Sequence, residues 1–325
     1  MHCFRARPSM WGGDAPPSGE GMSFSFNFGG EADAEPARAV DTKATTTSED
    51  VIPGIEVLSV EVPFPTPGWT PETVQIGKHE FVKGASSGAK YASVTDLNLD
   101  GKQSSTSDLV KGKYEGGAKL WECAIDLCEY LLRMTTDKES LKNANVLELG
   151  CGHGLPGIVC VKLGAGHVTF ADYNPDVLRS LTVPNVRANE TKKECNRCSY
   201  RFLGGDWGSL CTTPGLLPPH QFDIILAAET VYEPSSFPKH IEILKRALRC
   251  DEESESNSSK KKKTFALVAA KSYYFGVGGG ARWFRETLEK NACFDVECVD
   301  TISDGASNVR EILKVSWKES FGRGR

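Results

Sequence analysis

The chain has 325 residues, with 38 Lys and Arg against 43 Asp and Glu, so its formal net charge is −5. This acidic balance provides no general attraction for nucleic acid, and direct nucleic-acid binding is not expected. No apolar run reaches the roughly 18 residues of a membrane-spanning helix, and the segment after Met1 lacks the apolar core of a secretory leader. No membrane association is expected.

The first part of the chain has little regular pattern. Residues 1–50 are rich in Gly, Pro, Ser, Thr, Ala and acidic residues, which predicts a disordered tail. Residues 51–117 mix strand-like pieces, Ile55–Val60 and Tyr91–Val94, with several turn signals. We interpret 51–117 as an irregular N-terminal extension that serves as a lid or substrate-side element.

Strands and helices alternate from Lys119 onwards, which predicts a parallel sheet covered by helices on both faces. Apolar runs predict strands at 145–149, 167–171, 199–203, 222–228, 264–270, 293–299 and 311–317. Helical spacing begins with Leu120, Ala124 and Leu127, and further helices are predicted at 155–163, 175–190 (interrupted by Pro184), 236–249 and 281–291.

The regular region, 118–318, is therefore predicted to be one domain, followed by a short tail at 319–325. Its last two strands are joined by Thr301–Gly305 and should form a hairpin, which adds an antiparallel strand to the sheet. A charged, low-complexity loop at 251–263 is interpreted as a solvated insertion.

A glycine-dense turn follows the first predicted strand of this domain, within Asn145–Gly157. Glycines allow the backbone to approach a ligand closely and to adopt positive φ. The next strand ends on Asp172, 22 residues after Gly150, close to the spacing of about 20 at which a carboxylate accepts hydrogen bonds from ribose hydroxyls. The pattern predicts a nucleotide-type cofactor site.

Two residues favour S-adenosylmethionine over a dinucleotide at this turn. Glu148 lies inside the strand just before the first glycine, and Pro156 occupies the start of the following helix. A dinucleotide needs the amides of that helix N-terminus for its pyrophosphate, whereas a methyl donor tolerates a missing amide there.

Further candidate residues lie where later strands end, because ligands of open parallel sheets bind beyond the carboxyl ends of the strands. Asp206 and Trp207 follow the third strand and could bind adenine, or serve equally well as a helix cap and a core residue. Glu229 and Tyr232 close the fourth strand. Strand alternation would bury Glu229, and lining a reaction site would explain a buried carboxylate.

Seven segments together resemble the histidine protein methyltransferase family, over roughly residues 108–318. They are Tyr114–Cys123, Glu148–Gly154, Ala171–Asn174, Val183–Asn189, Gly205–Trp207, Glu229–Tyr232 and Ala270–Gly280. The resemblance implies a class I methyltransferase (Rossmann-like) fold, α/β, with a seven-stranded, mostly parallel sheet. It also implies S-adenosylmethionine-dependent methylation of one histidine, at the tele nitrogen, in the universal L-three protein of the large ribosomal subunit.

By position, the resemblance places Leu120 to Ala124 at the methionine end of the cofactor, with the ribose held by Asp172 and adenine by Asp206 and Trp207. The full set that is expected to bind the cofactor is Leu120, Trp121, Glu122, Cys123, Ala124, Glu148, Gly150, Cys151, Gly152, Asp172, Tyr173, Asn174, Gly205, Asp206, Trp207 and Ala228. Glu229 and Tyr232 are the catalytic candidates, and Tyr273 and Tyr274 could wall the target ring or pack against the sheet. His153 is interpreted as a spacer in the turn.

Three other functions compete with histidine methylation. Related lysine methyltransferases have Asp-x-x-Tyr where this chain has Glu229 to Tyr232, which favours the histidine branch. A methyltransferase for RNA or small molecules is disfavoured by the net acidity and by the absence of an Asn-Pro-Pro-Tyr-type signature. A non-catalytic assembly factor for ribosomal proteins would have no need to keep the glycine turn and Asp172.

The remaining expectations concern metals, partners and location. Cys195 and Cys198 have metal-like spacing but no second ligand pair, so no metal site is predicted. Eleven scattered cysteines are typical of a reducing compartment. We expect a monomer in the cytoplasm or nucleus that acts on a protein substrate, a large-subunit ribosomal protein.

Overall fold

The computed structural model describes residues 51–85, 116–134, 141–250, 264–303, 305 and 308–319. The predicted disordered tail (1–50), the strand-like piece Tyr91–Val94 and the charged loop (251–263) lie outside the described residues. All described residues belong to one compact unit. No described helix is long and apolar enough to span a membrane.

Eight strands form the central sheet, in the order β1-β6-β5-β4-β7-β8-β10-β9. The five strands β6, β5, β4, β7 and β8 are parallel, whereas β1, β9 and β10 run antiparallel to their partners. A separate hairpin consists of β2 and β3. The strands are β1 (Ile55–Glu56), β2 (Pro71–Ile76), β3 (His79–Gly84), β4 (Asn145–Leu149), β5 (His167–Asp172), β6 (Ser199–Gly204), β7 (Ile224–Ala228), β8 (Phe265–Lys271), β9 (Phe294–Ile302) and β10 (Arg310–Trp317).

The helices cover both faces of the sheet. They are α1 (Glu122–Met134), α2 (Leu155–Lys162), α3 (Pro175–Val177), α4 (Val183–Asn189), α5 (Lys192–Cys195), α6 (Trp207–Thr212), α7 (Phe237–Ala247) and α8 (Ala281–Lys290). A π-helical turn, Leu178–Thr182, joins α3 to α4, and short 3₁₀ turns lie at Ser59–Glu61 and Pro234–Ser236.

Two apolar cores lie on opposite faces of the sheet, as expected for strands that are buried on both sides. One core joins α1, α2 and α4 to the sheet, with Leu127 and Phe170 among its fully buried side chains. The other joins α6, α7 and α8 through Leu210, Leu244 and Phe284. Because helices occupy both faces, the open space of the domain is left at the ends of the strands.

The predicted seven-stranded fold is confirmed, including the terminal antiparallel hairpin of β9 and β10. The structure adds an eighth strand, β1, which is shorter than the predicted Ile55–Val60 and pairs with β6 at the sheet edge. The predicted interruption near Pro184 takes the form of a π turn. The α-helix ends at Val177 and resumes at Val183, so that Pro184 lies in the first turn of α4, where a missing amide is tolerated, and the backbone stays helical throughout.

The described part of the N-terminal extension packs on the domain. Its hairpin lies against α4, where the Asn189 side chain accepts a hydrogen bond from Val82 N (2.9 Å) and donates one to Val82 O (2.6 Å). Near the sheet edge, the Asp206 amide donates to the carbonyl of Ile52 (3.0 Å). The extension therefore reaches the end of β6, where a candidate site residue lies.

Candidate active site

A cavity of about 530 Å³ opens beyond the carboxyl ends of β4, β5, β6 and β7. The chain proceeds from β4 to β5 on one side and reaches β7 on the other, so the cavity lies at the switch point where open α/β sheets bind ligands. The start of α1 covers one side. Fourteen of the predicted site residues line the cavity: Leu120, Trp121, Ala124, Glu148, Gly150, Cys151, Gly152, Asp172, Tyr173, Asp206, Trp207, Ala228, Glu229 and Tyr232.

The glycine turn after β4 needs its glycines. Gly150 and Gly152 have φ values of 62° and 49°. A Cβ on Gly152 would lie 2.8 Å from the carbonyl oxygen of Gly117, and one on Gly150 would lie 2.8 Å from Thr230 Cγ2. The turn thus lies tightly against both the α1 side and the β7 side of the cavity, and its backbone faces the open space.

Glu148 stabilises this turn from within the fold. Its Oε2 accepts a hydrogen bond from the amide of Gly157, in the first turn of α2, at 2.8 Å. Burial raises the pKa of the Glu148 carboxyl to about 8, against the lowering effect of the Gly157 N–H and with a further increase from Asp172. Glu148 belongs to the cavity lining but is only 3% exposed, and its carboxyl bonds to the backbone of α2.

Asp172 joins the ends of two neighbouring strands. Its Oδ2 accepts from Gly152 N at 2.9 Å, and its Oδ1 accepts from Asn174 N at 3.0 Å. Each carboxylate oxygen has a second lone pair, so both can accept from a ligand as well. The carboxylate faces the cavity, which fits the predicted binding of ribose hydroxyls.

Asp206 combines the two roles that its pattern left open. Its Oδ1 accepts from Gly208 N at 2.8 Å as the N-cap of α6, and its Oδ2 binds Lys239 Nζ at 2.6 Å. It also lines the cavity beside Trp207. The Trp207 ring meets the buried ring of His240 edge-on, with centroids 5.0 Å apart. An aromatic surface and a carboxylate therefore lie together, as binding of adenine requires.

Glu229 has the least ordinary geometry of the site. It follows β7 with a left-handed φ of 57°, which is uncommon outside glycine. Its Oε2 accepts a hydrogen bond from the Tyr274 hydroxyl. Its Oε1 is buried, and no N–H or O–H of the described residues donates to it. The Cys123 thiol, a weak donor, lies beside the carboxylate, and Glu229 belongs to the cavity wall.

Six predicted site residues do not line the cavity. Glu122 is exposed on α1, where it pairs with Lys271 at 3.4 Å. Cys123 is buried beside Glu229, and burial followed by that carboxylate raises the pKa of its thiol. The others are Asn174 before α3, Gly205 against the carbonyl of Pro53, exposed Tyr273, and Tyr274 behind Glu229.

The cavity is also lined by residues that the sequence patterns did not identify. Lys239 and Val51 belong to it, and neither lies in a motif or at a strand end, so no local signal marked them. His153 lines the cavity as well, and its Nε2 lies 3.0 Å from the carbonyl oxygen of Ala118. Burial lowers the pKa of His153 to about 4, so its ring is neutral near pH 7. Its predicted role as a spacer is consistent with this contact.

The site fits S-adenosylmethionine in size and in chemistry. The glycine turn leaves room for close backbone approach, Asp172 offers acceptors for hydroxyls, and Trp207 offers an aromatic surface. No group of three or more His, Cys, Asp or Glu that could hold a metal ion occurs among the described residues.

Comparison with known proteins shows that the chain is similar to protein methyltransferases. A family model described as "Lysine methyltransferase" matches residues 107–269, half of the chain. Histidine protein methyltransferase 1 homolog of Dictyostelium discoideum is 43% identical over 212 residues, 65% of this chain and 61% of that protein. Protein N-lysine methyltransferase METTL21A of Xenopus tropicalis is 37% identical over 121 residues, 37% of this chain and 50% of that protein.

Among solved structures, magnesium protoporphyrin IX methyltransferase of Synechocystis PCC 6803 with bound SAH aligns with 60% of this chain and 83% of that chain. The identity is 14% and the TM-score is 0.41. The chain spans about three-fifths of the length of the histidine methyltransferase homolog of Dictyostelium discoideum.

Replacing Gly152 with Ala should weaken cofactor binding by about tenfold or more, since the new Cβ would collide with the Gly117 backbone and shift the turn. Titration calorimetry with S-adenosylmethionine measures this. Gly77→Ala is the matched control, because Gly77 has φ +57° in the β2–β3 turn with nothing within 4 Å of the added Cβ. Equal affinities of the two variants would contradict the prediction.

The contribution of Glu148 to the stability of the protein should decrease as pH rises from about 5 to about 8. Its carboxyl keeps a proton in the folded chain up to a pKa of about 8 but loses it near 4.5 when unfolded. At this group the folded state therefore binds more protons in this range, and its share of the free energy of unfolding falls with pH. In urea denaturation at several pH values, Glu148→Gln should gain stability relative to the wild type as pH rises, because the buried His153 and His240 titrate alike in both proteins. Glu242→Gln, at an exposed position of α7, should run parallel to the wild type, and a parallel Glu148→Gln curve would refute the assignment.

Proposed function

Because the chain belongs to the histidine protein methyltransferase branch of the matched family, we propose that it methylates a histidine side chain of another protein. The observation that carries the proposal is the Oε1 atom of Glu229, which is buried without an N–H or O–H donor among the described residues and has only the weak S–H donor of Cys123 beside its carboxylate. A buried acceptor without a strong donor is costly unless a ligand supplies one. The N–H of a neutral imidazole is such a donor.

The cofactor is S-adenosylmethionine, which supplies a methyl group bound to a positively charged sulfur. The residues of the chain position it. The glycine turn allows the cofactor to approach the backbone closely, Asp172 binds the ribose hydroxyls, and Trp207 packs on adenine. Trp121 and Leu120 cover the side of the cavity at the start of α1, where we expect the methionine end.

Histidine is a suitable acceptor for this set of residues. The unperturbed imidazole pKa of about 6.5 leaves most of the ring neutral at physiological pH, with a lone pair on one nitrogen. Glu229 accepts a hydrogen bond from the N–H of the other ring nitrogen. This bond fixes the tautomer and stabilises the positive charge that the ring gains on methylation. Since no strong base is needed, alignment of the ring provides most of the acceleration.

A lysine acceptor is the second candidate, favoured by the description of the matched family and by the similarity to the lysine methyltransferase of Xenopus tropicalis. A lysine amine has an unperturbed pKa of about 10.4 and must lose a proton before it can attack. A carboxylate next to the amine favours the charged ammonium form instead. Because related lysine methyltransferases have an Asp at the position of Glu229, the carboxylate alone does not decide the acceptor, and the longer and closer match to the histidine methyltransferase of Dictyostelium discoideum favours histidine.

The resemblance further supports a specific client, the universal L-three protein of the large ribosomal subunit, methylated at the tele nitrogen of one histidine. It also supports a monomeric enzyme in the cytoplasm or nucleus, where a ribosomal protein is made and assembled.

The purified chain, incubated with labelled S-adenosylmethionine and ribosomal proteins from cells without the enzyme, tests this proposal. We expect label on a histidine of the L-three protein, located by peptide mass spectrometry. Label on lysine would replace histidine as the acceptor, and label on another protein would replace the client. Absence of cofactor binding in calorimetry would favour the non-catalytic assembly factor.

Glu229→Gln should lower kcat about 100-fold, because the neutral amide no longer stabilises the charge that develops on the imidazole. The affinity for S-adenosylmethionine should change little. Glu242→Gln removes an exposed carboxylate of α7 and serves as the control. An unchanged rate of Glu229→Gln would remove the carboxylate from the mechanism.

A further inference from the structure

Tyr274 does not line the cavity, although its position in the sequence suggested that it could wall the target ring. It lies in the loop after β8, behind Glu229. Its backbone is held on both sides, since Tyr274 N donates to Gly279 O (3.0 Å) and Tyr274 O accepts from Gly278 N (2.9 Å). Its ring meets that of Tyr232 edge-on, with centroids 6.4 Å apart. The phenol is thus fixed by its own loop.

The Tyr274 hydroxyl connects two groups of the fold. It accepts a hydrogen bond from Lys271 N at 3.3 Å and donates one to Glu229 Oε2. An accepted hydrogen bond strengthens the one that is donated, because each polarises the next. The phenol therefore provides a directed donor for one oxygen of the carboxylate.

Glu229 is held from its backbone as well. Its amide donates to Ala269 O of β8 at 2.9 Å, which extends the strand pairing one residue beyond β7 while φ is left-handed. With Oε2 held by Tyr274, the carboxylate cannot rotate without losing that bond. Oε1 has only the weak S–H donor of Cys123 beside the carboxylate and is therefore the oxygen with acceptor capacity for a stronger donor.

We propose that Tyr274 is a positioning residue that occupies Oε2 of Glu229 and so presents Oε1 alone to the target side chain. This inference rests on the proposed function. A carboxylate with a single available oxygen matches a neutral imidazole, which has a single N–H. An amine or ammonium carries two or three N–H groups and would leave donors unpaired at such an acceptor.

The phenol remains a donor across the physiological pH range. Burial, followed by the nearby Glu229 carboxylate, raises the pKa of Tyr274. Two negative groups do not arise side by side, and the hydrogen bond from Tyr274 to Glu229 keeps its direction. Tyr274 is a half-buried member of the apolar core on the α7 side, so removal of its hydroxyl alone leaves the packed ring in place.

A double-mutant cycle on methyl transfer tests this role. Tyr274→Phe should lower kcat about tenfold, with the affinity for S-adenosylmethionine unchanged, because only the orientation of Glu229 is lost. In a Glu229→Ala background the same substitution should have almost no effect, since Tyr274 acts through that carboxylate. Tyr130→Phe, which removes a half-buried phenol of α1 outside the cavity, is the control.

Two results would overturn the inference: a wild-type rate in Tyr274→Phe, or an equal loss of kcat in the presence and absence of the Glu229 carboxylate. If wild-type protein methylates lysine, the proposed function fails, and kcat for the lysine product is measured in the four proteins of the cycle instead.

If it methylates neither residue, the urea midpoint of unfolding is measured in the same four proteins. Additive shifts there would show that the phenol and the carboxylate are not coupled, and would also overturn the inference.

Discussion

The candidate site depends on two buried acidic side chains that hold the glycine turn after β4. Glu148 binds the first turn of α2 through Gly157 N, and Asp172 binds the turn itself through Gly152 N. Their strands are adjacent in the sheet, with Leu149 paired to Ala171. The turn is therefore fixed to two strands and one helix. Without these contacts, a glycine-rich segment would have many conformations to lose on binding a ligand.

The opposite side of the cavity depends on the conformation of Glu229. A left-handed φ at a residue with a side chain costs about 1–2 kcal/mol, and such strain is found chiefly at functional sites. The strand pairing to Ala269 and the phenol of Tyr274 hold this conformation. The two sides are built differently, because the glycine turn avoids strain through its residue type whereas Glu229 bears it.

Local sequence patterns predicted what is encoded locally. The succession of strands along the chain, the terminal hairpin and the glycine turn follow from runs and spacings within a few tens of residues. The contacts that complete the site join distant residues. Lys239 binds Asp206 from α7, Tyr274 reaches Glu229 across 45 positions, and β1 pairs with β6 about 150 positions away. Pairings of this kind arise from tertiary packing, so no window of the sequence contains them.

The extent of the family match separates two parts of the site. The matched residues, 107–269, include the glycine turn, Asp172 and Asp206, which form the candidate site for the methyl donor. They also include Glu229, the carboxylate that is proposed to contact the acceptor. Val51 and Tyr274 lie outside it, the first in the cavity wall and the second behind Glu229. A carboxylate of the same type can serve different acceptors, depending on how many of its oxygens are available. The role that we propose for Tyr274 would assign the choice of acceptor to a residue beyond the matched region, which limits what Glu229 can accept.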